Sequence, residues 1–423
     1  MSSASQHGHS GRSINIMQPE QAIHPLPTLA IFGGKKSFSQ PLHVGRPNIV
    51  NRDRFLQRVN QILDNRWLTN NGPFVQEFER NIASFLGVKH CISICNATIA
   101  LEIAIRALSL KGEVIVPSYT FIATAHALQW QEVTPVFADM DPRTYNINPD
   151  TIDELITPRT SGIIGVHLWG RACDTAAIET LAARRGLTVM YDASHAFSCS
   201  HLGRKIGSFG ACEVFSFHAT KFLNSFEGGA IVTNNDNLAE KIRLMCNFGF
   251  KGYDNVIHPG TNGKMTEVCA AMGISSLEVI DETIAVNQQN YRQYKNGLYG
   301  MKGLSLIEYD TAESNNYQYI VLEVDPNTAA LNRDDLVKVL HAENVLARKY
   351  FWPGCHNMEP YRSYNPHAHF LLPQTERMSP RIVVLPTGTA VGCDEIARIC
   401  EIMKSALDQA CQVRSALENR PTV

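Results

Sequence analysis

The chain has 423 residues, 44% of them hydrophobic and 18% charged, which suits one large domain with a sizeable core plus a smaller one. Its formal net charge of -2 gives no basic field for nucleic acid or an anionic membrane, so any phosphate must be read by local donors. No apolar run approaches the roughly 20 residues of a membrane span, and eleven scattered cysteines without a second pair at zinc-site spacing point to reduced thiols in a cytoplasmic setting.

Residues 1–25 are polar, lack an apolar signal-peptide core and read as a flexible tail. Asn96-Ala97-Thr98 opens the helix-like run ALEIAIRAL. From about residue 110, short apolar runs alternate with helical patterns. Strands are expected at 113–117 (EVIVP), 135–138, 163–167, 187–191, 213–217 and 230–233, with helices over 120–130, 149–156, 174–185 and 238–246. That alternation predicts an α/β fold with a mostly parallel central sheet flanked by helices. After about residue 285 the pattern changes. A strand at 319–324, a helix capped by Asn332, a strand at 381–385, a Pro- and His-rich loop over 362–374 and a closing helix over 394–412 make a smaller α+β unit. The expected division is a large domain over 26–285 and a small C-terminal domain over 286–423.

In an α/β protein, ligands bind beyond the carboxyl ends of the strands. Three such ends carry reactive residues. Asp192 follows LTVMY, Lys221 lies in SFHATK after EVF, and Asn96-Ala97-Thr98 sets N–H groups and a hydroxyl at a helix start, where a phosphate is welcome. Singly, each has a plain structural explanation as a cap, an ion-pair partner or a solvated lysine. Together they are what pyridoxal 5'-phosphate requires: an amine to condense with its aldehyde, a carboxylate to keep its pyridine protonated, and donors for its phosphate. Arginine could not serve at 221, because only a lysine sheds its proton when desolvated. No G-x-G-x-x-G follows the first strands, since Gly203 to Gly207 has the wrong spacing, and no HExxH is present; the His367/His369 pair falls in the expected loop. Dinucleotide and metal chemistry are therefore disfavoured, and no metal is expected.

The segment SFHATKFLNSFEGGAIVT resembles the lysine region of the sugar aminotransferases named after DegT and StrS. VIVPSYTFIATAHAL, PVFADMDP, GVHLWGRACD, YDASHAFSCSHLGRKIGSFG, GTNGKMTEVCAAMG and KYFWPGCHNMEPYR follow the family's order from about residue 30 to 400. The resemblance implies fold type I of the pyridoxal-phosphate enzymes and a homodimer with active sites shared between subunits. It assigns Lys221 to the cofactor aldehyde, Asp192 to the ring nitrogen and His195 to the phenolic oxygen. Phe121 would stack on the ring, Ala97, Thr98 and Ser216 would cradle the phosphate, and Asn262 would be donated by the other subunit. Relatives that remove a hydroxyl carry His in place of this lysine; Lys221 stands here, and transamination is favoured.

CNATIAL, GVHLWGR, GTNGKM and PGCHNMEPYR are most similar to family members that aminate dTDP-4-keto-6-deoxy-D-glucose at C4. The implied substrates are that dTDP-keto-sugar and L-glutamate, and the product is dTDP-4-amino-4,6-dideoxy-D-glucose. A diphosphate needs cationic donors at the site mouth, for which Lys264, Arg348 and Lys349 are candidates, and Trp169 and Tyr350 are candidates to flank the sugar or base. Amination at C3, another nucleotide sugar, and a non-catalytic cofactor-binding regulator stay open as alternatives.

Overall fold

The computed structural model describes residues 28–49 and 51–419; the tail expected over residues 1–25 lies outside the described residues. Seven strands build the main sheet: β1 (His90–Ile94), β2 (Glu113–Pro117), β3 (Thr134–Ala138), β4 (Thr160–Val166), β5 (Thr188–Asp192), β6 (Glu213–Ser216) and β7 (Gly229–Thr233). Their order is β1-β7-β6-β5-β4-β2-β3, and β7 alone runs against the others. The chain thus has the expected α/β fold, with a mostly parallel sheet between helices. β1 has no counterpart among the expected strands. Its run HCISI opens on a histidine and carries a serine, so it lacks the continuous Val/Ile signature of a strand buried on both faces.

Side chains alternate across this sheet and feed two cores. Ile115, Ile163, Tyr191 and Phe215 face one side, where they meet Phe78 and Ile82 of α2 (Pro73–Leu86), which follows α1 (Arg52–Asn65). Val114, Val116, Ile164, Met190 and Val214 face the other. There they meet Leu101 and Ile105 of α3 (Ala97–Ala107) and Leu128 of α4 (Ala123–Trp130). α5 (Thr175–Arg185) and α7 (Glu267–Leu277) cover the first face and α6 (Asp236–Cys246) the second. The helix expected over 120–130 begins only at Ala123, because residues 119–122 are used for the turn that leaves β2.

A third core surrounds an antiparallel sheet of β8 (Leu304–Leu306), β9 (Ile320–Val324) and β10 (Ile382–Leu385). α8 (Ile280–Gly297), α9 (Arg333–Ala342) and α11 (Cys393–Asp408) pack on it, with α10 (Pro373–Met378) between β9 and β10 in the chain-order sense of lying after α9. Asn332 caps α9 by accepting from the Asp335 N–H at 2.8 Å. The division expected at residue 285 falls inside α8: Ile280 joins the first core, whereas Tyr291 and Tyr294 join the third. Leu29, Ile31 and Leu42, expected in the large unit, also pack in the third core, and Leu42–His43 pairs in parallel with Val345–Leu346. The expected loop over 362–374 contains helical turns at Tyr361–Tyr364 and Ala368–Leu371 and runs into α10. Asp139, just past β3, stabilises the start of α10 by accepting from the Gln374 and Thr375 N–H groups, each at 2.8 Å. The expected closing helix is two, α11 and α12 (Ala410–Glu418), broken at Gln409.

Candidate active site

The strand ends converge on a cavity of about 560 Å³, a size suited to a small organic ligand. Its walls include Ala97, Thr98, Phe121, Asp192, His195, Ser216, Lys221 and Tyr350. Eight of the residues singled out in the sequence are therefore brought together here. Seven of them arrive from four places along the main sheet, and Tyr350 comes from the segment before β10: α3, with Ala97 and Thr98, starts after β1, Phe121 leaves β2, Asp192 ends β5 with His195 just beyond, and Ser216 ends β6 ahead of Lys221.

Lys221 sits in the connection from β6 to β7. That connection is braced from both sides: Ser225 N–H donates to Phe217 O at 2.8 Å, and Asn224 Nδ2 donates to Asn48 O at 2.9 Å. Phe222 and Leu223 are buried, so Lys221 follows a fixed backbone into the cavity. Burial lowers its amine to about 8, against an opposing pull from the Asp192 carboxylate. The sign matters for chemistry: below about pH 8 the amine is charged and cannot attack a carbonyl, and above it the neutral form dominates. Uptake of an aldehyde cofactor by the apoprotein should therefore accelerate with pH and level off above about 8. A rate that keeps climbing toward the ordinary lysine value of 10.5 in stopped-flow mixing would contradict this placement.

Asp192 is 5% exposed, and both its oxygens are occupied on one side. Thr124 Oγ1 donates to Oδ2 at 2.8 Å and Ser194 N–H donates to Oδ1 at 3.0 Å, which orients the carboxylate and leaves lone pairs free for a further donor. His195 is equally buried, and its Nδ1 accepts from the Trp169 N–H at 3.3 Å. Burial, reinforced by the nearby Lys221, holds this imidazole well below its ordinary value. It is therefore neutral with the proton on Nε2, a donor rather than a cation. Phe351 stacks on it with ring centres 5.6 Å apart.

The residues present fit pyridoxal phosphate. The first turn of α3 leaves N–H groups free while Asn96 caps only Ile99, which suits a phosphate. A Cβ at Gly229 would come within 2.7 Å of Ala97 N, so only glycine lets β7 approach this turn so closely. Thr120 Oγ1 is buried without a partner among the described residues, and Thr120 lines the cavity; a bound polar ligand would satisfy it. Among the described residues Lys221 is the one Lys or Arg in the lining, in keeping with phosphate recognition by neutral donors.

Other sequence candidates lie elsewhere. Trp169 is 1% exposed and packs on Tyr119 and Tyr145. It does not flank the cavity; its backbone, in the left-handed region at φ 55°, holds His195 instead. Asn262 and Lys264 do not line the cavity of their own chain, and Lys264 Nζ donates to Asn247 Oδ1 at 2.9 Å. Arg348, Lys349 and Tyr350 line an adjoining cavity of about 380 Å³ that shares Thr120, Phe121, Tyr350 and Phe351 with the first. Lys349 is already paired with Asp334 at 2.6 Å, whereas Arg348 lies over the Tyr350 ring without an ion-pair partner among the described residues. Sequence reasoning missed Thr124, Gln318, Tyr319 and Phe351 as neighbours of this site, whereas His218 and Glu227, which also line it, lie in the quoted lysine segment. Gln318 and Tyr319 reach it from the edge of β9, in the other sheet, and no local pattern signals that.

A sequence model of the DegT/DnrJ/EryC1/StrS aminotransferase family matches residues 50–404. Among curated relatives, a dTDP-4-amino-4,6-dideoxy-D-glucose transaminase of Escherichia coli is 35% identical over 363 residues, spanning 85% of this chain and 97% of its own. The protein of the same name from Shigella dysenteriae is 39% identical over 322 residues, spanning 76% and 88%. Among solved structures, that of DesI in the presence of its TDP-sugar product superposes with a TM-score of 0.89 at 46% identity, covering 92% of this chain and 99% of the other.

Proposed function

The chain belongs to the DegT/DnrJ/EryC1/StrS aminotransferase family, and on that premise we propose that it is a pyridoxal-phosphate-dependent aminotransferase moving an amino group from L-glutamate to C4 of dTDP-4-keto-6-deoxy-D-glucose. The product is dTDP-4-amino-4,6-dideoxy-D-glucose. The observation that carries the reading is the convergence of Lys221, Asp192 and the start of α3 on one cavity. The substrate follows from likeness to two transaminases named for that amino sugar and to the TDP-sugar enzyme DesI.

When bound, the cofactor supplies an aldehyde for the donor's amine and an electron-withdrawing pyridine ring. Ala97, Thr98 and Ser216 would hold its phosphate, Phe121 would cover one face, Asp192 would keep the ring nitrogen protonated, and His195 would donate from Nε2 to the phenolic oxygen. Lys221 Nζ would hold the aldehyde at rest; released by the incoming amine, it would act as the base that takes the proton from the α-carbon of glutamate and passes it to the cofactor, and in the second half-reaction would run the reverse transfer, delivering a proton to C4 of the sugar. The two halves share one base and one cavity, so a ping-pong order follows.

The adjoining cavity takes the nucleotide, with Arg348 on the diphosphate and Tyr350 between sugar and base; Lys349, held by Asp334, contributes less. Asn262 and Lys264 lie on a segment that also exposes Phe248, Val256 and Ile257, an apolar surface that fits a second copy of the chain. In a homodimer this segment completes the neighbour's site.

The test uses the purified holoprotein. Glutamate alone should bleach the visible absorbance band of the bound cofactor, the dTDP-keto-sugar should restore it, and the product should carry nitrogen at C4 by NMR. The active species should have the mass of two chains, and Arg348→Ala should bind dTDP more weakly. No spectral response to glutamate would support the regulator reading, and nitrogen at C3 would overturn the assigned position.

A further inference from the structure

His356 lies outside the cavity, is 2% exposed, and has no part in the chemistry above. It nonetheless forms the middle of a hydrogen-bonded chain. Its Nε2 is 2.6 Å from Glu376 Oε1, which also accepts from Asn357 Nδ2 at 2.7 Å, and its Nδ1 is 2.5 Å from Ser118 Oγ. A carboxylate only accepts, so Nε2 carries the proton. Burial keeps the imidazole below its ordinary value and hence neutral, which leaves Nδ1 to accept from the Ser118 hydroxyl. The same hydroxyl oxygen accepts from the His356 N–H at 3.3 Å, and the chain is satisfied at every link.

Ser118 is the first residue beyond β2, and the turn over residues 119–122 that follows it carries Thr120 and Phe121. The segment from Tyr350 to His356 is tied to that turn at further points. Tyr119 Oη donates to Tyr350 O at 2.9 Å, Cys355 N–H donates to Ser118 O at 2.8 Å, and Cys355 Sγ donates to Thr120 O at 3.4 Å. Phe121 is 54% exposed, so its own packing does not fix it; its position is inherited from the turn. Phe351, on the opposite segment, stacks on His195 and meets Phe121 edge-on with centres 6.3 Å apart. A buried polar chain is no more stabilising than a well-packed apolar joint, but when fully satisfied it specifies one geometry.

We propose that His356 is a positioning residue that, by orienting Ser118, fixes the turn carrying Thr120 and Phe121 against the segment carrying Tyr350 and Phe351, and so sets the two aromatic walls of the cofactor cavity. The proposal rests on the cofactor reading of that cavity. Acting through Ser118, it separates the two nitrogens of the ring. His356→Asn places an amide oxygen near the Nδ1 position and keeps the contact to Ser118, whereas His356→Gln reaches toward Glu376 and loses it.

The experiment compares wild type, Ser118→Ala, His356→Asn and His356→Gln as holoproteins. It measures the dissociation constant of pyridoxal phosphate, the visible circular dichroism of the bound cofactor, and the melting temperature. Ser118→Ala and His356→Gln should weaken cofactor retention about tenfold, the scale of one lost buried hydrogen bond, and alter the dichroism, while His356→Asn stays near wild type. Ser118→Ala removes one oxygen atom and keeps the comparison open should a His356 variant fold poorly. Unchanged affinity and dichroism with only a lower melting temperature would overturn the proposal, as would rescue by Gln and not by Asn. A wild-type protein that takes up no cofactor would overturn the aminotransferase reading, and this proposal with it.

Discussion

Lys221→Ala should lower kcat by roughly 10⁴-fold or more, because on the proposed mechanism one substitution removes both the group that bonds the cofactor and the base that moves the proton. The fold should survive. Lys221 is surrounded by a braced connection whose core anchors are Phe222 and Leu223, and its removal relieves a desolvated amine rather than deleting packed apolar volume. A stability change under about 2 kcal/mol is expected, inside the ordinary range for single substitutions. Arginine at 221 should be as inactive as alanine, since its charge persists at any working pH. Circular dichroism and thermal melting verify the fold, and steady-state assay with glutamate and the dTDP-keto-sugar reads the loss. A Lys221→Ala protein with wild-type kcat would mean that another group does the chemistry.

Asp192→Asn should be the second most damaging change, lowering kcat by about 10²–10⁴-fold, the scale of a lost proton-holding group. Asparagine preserves the shape and can still engage Thr124 Oγ1 and Ser194 N–H, which now donate to the carboxylate. What it lacks is the negative charge proposed to keep the cofactor's ring nitrogen protonated. Two further readouts follow from the charge alone. The Asp192 carboxylate raises the Lys221 amine against the effect of burial, so removing it should shift the midpoint of cofactor uptake below about 8. An N-methylated cofactor, whose ring nitrogen is permanently cationic, should recover part of the lost rate in Asp192→Asn. If the variant reacts normally with the natural cofactor, the carboxylate has only a structural part.

Much of the fold was legible in the sequence because the strands of the main sheet are buried on both faces. Runs such as EVIVP and AIVT stand out wherever helices flank them, and six of the seven strands declare themselves this way. β1 did not, because HCISI is too polar for that pattern. Residues 120–122 show helical spacing yet form part of a turn, since Ser118 and Tyr119 are recruited by hydrogen bonds from the distant 350–356 segment. α10 was hidden by its Pro- and His-rich approach, and its start depends on Asp139, some 235 residues away in sequence.

The site divides along the same line. Lys221, Asp192 and the Asn96 cap follow strands directly, and a strand end is where local sequence and ligand chemistry coincide. Trp169 looked like a wall of the substrate site because GVHLWGR is a distinctive run, but its side chain turns into the core and only its N–H serves the site. Arg348 and Lys349 are indistinguishable in sequence. The structure separates them, because Asp334, in the first turn of α9, occupies Lys349 and leaves Arg348 unpaired among the described residues. Thr124, Gln318 and Tyr319 were missed because their nearness to Asp192 and the cavity depends on the order of strands and on the second sheet.

The most direct measurement is borohydride reduction of the holoprotein followed by peptide mapping. Reduction should lock a pyridoxyl group onto a single peptide, and fragmentation should place it on the Nζ of Lys221, with no labelling in Lys221→Ala. A pyridoxyl group on any other lysine, or none at all in protein that retains cofactor, would contradict the account at its foundation.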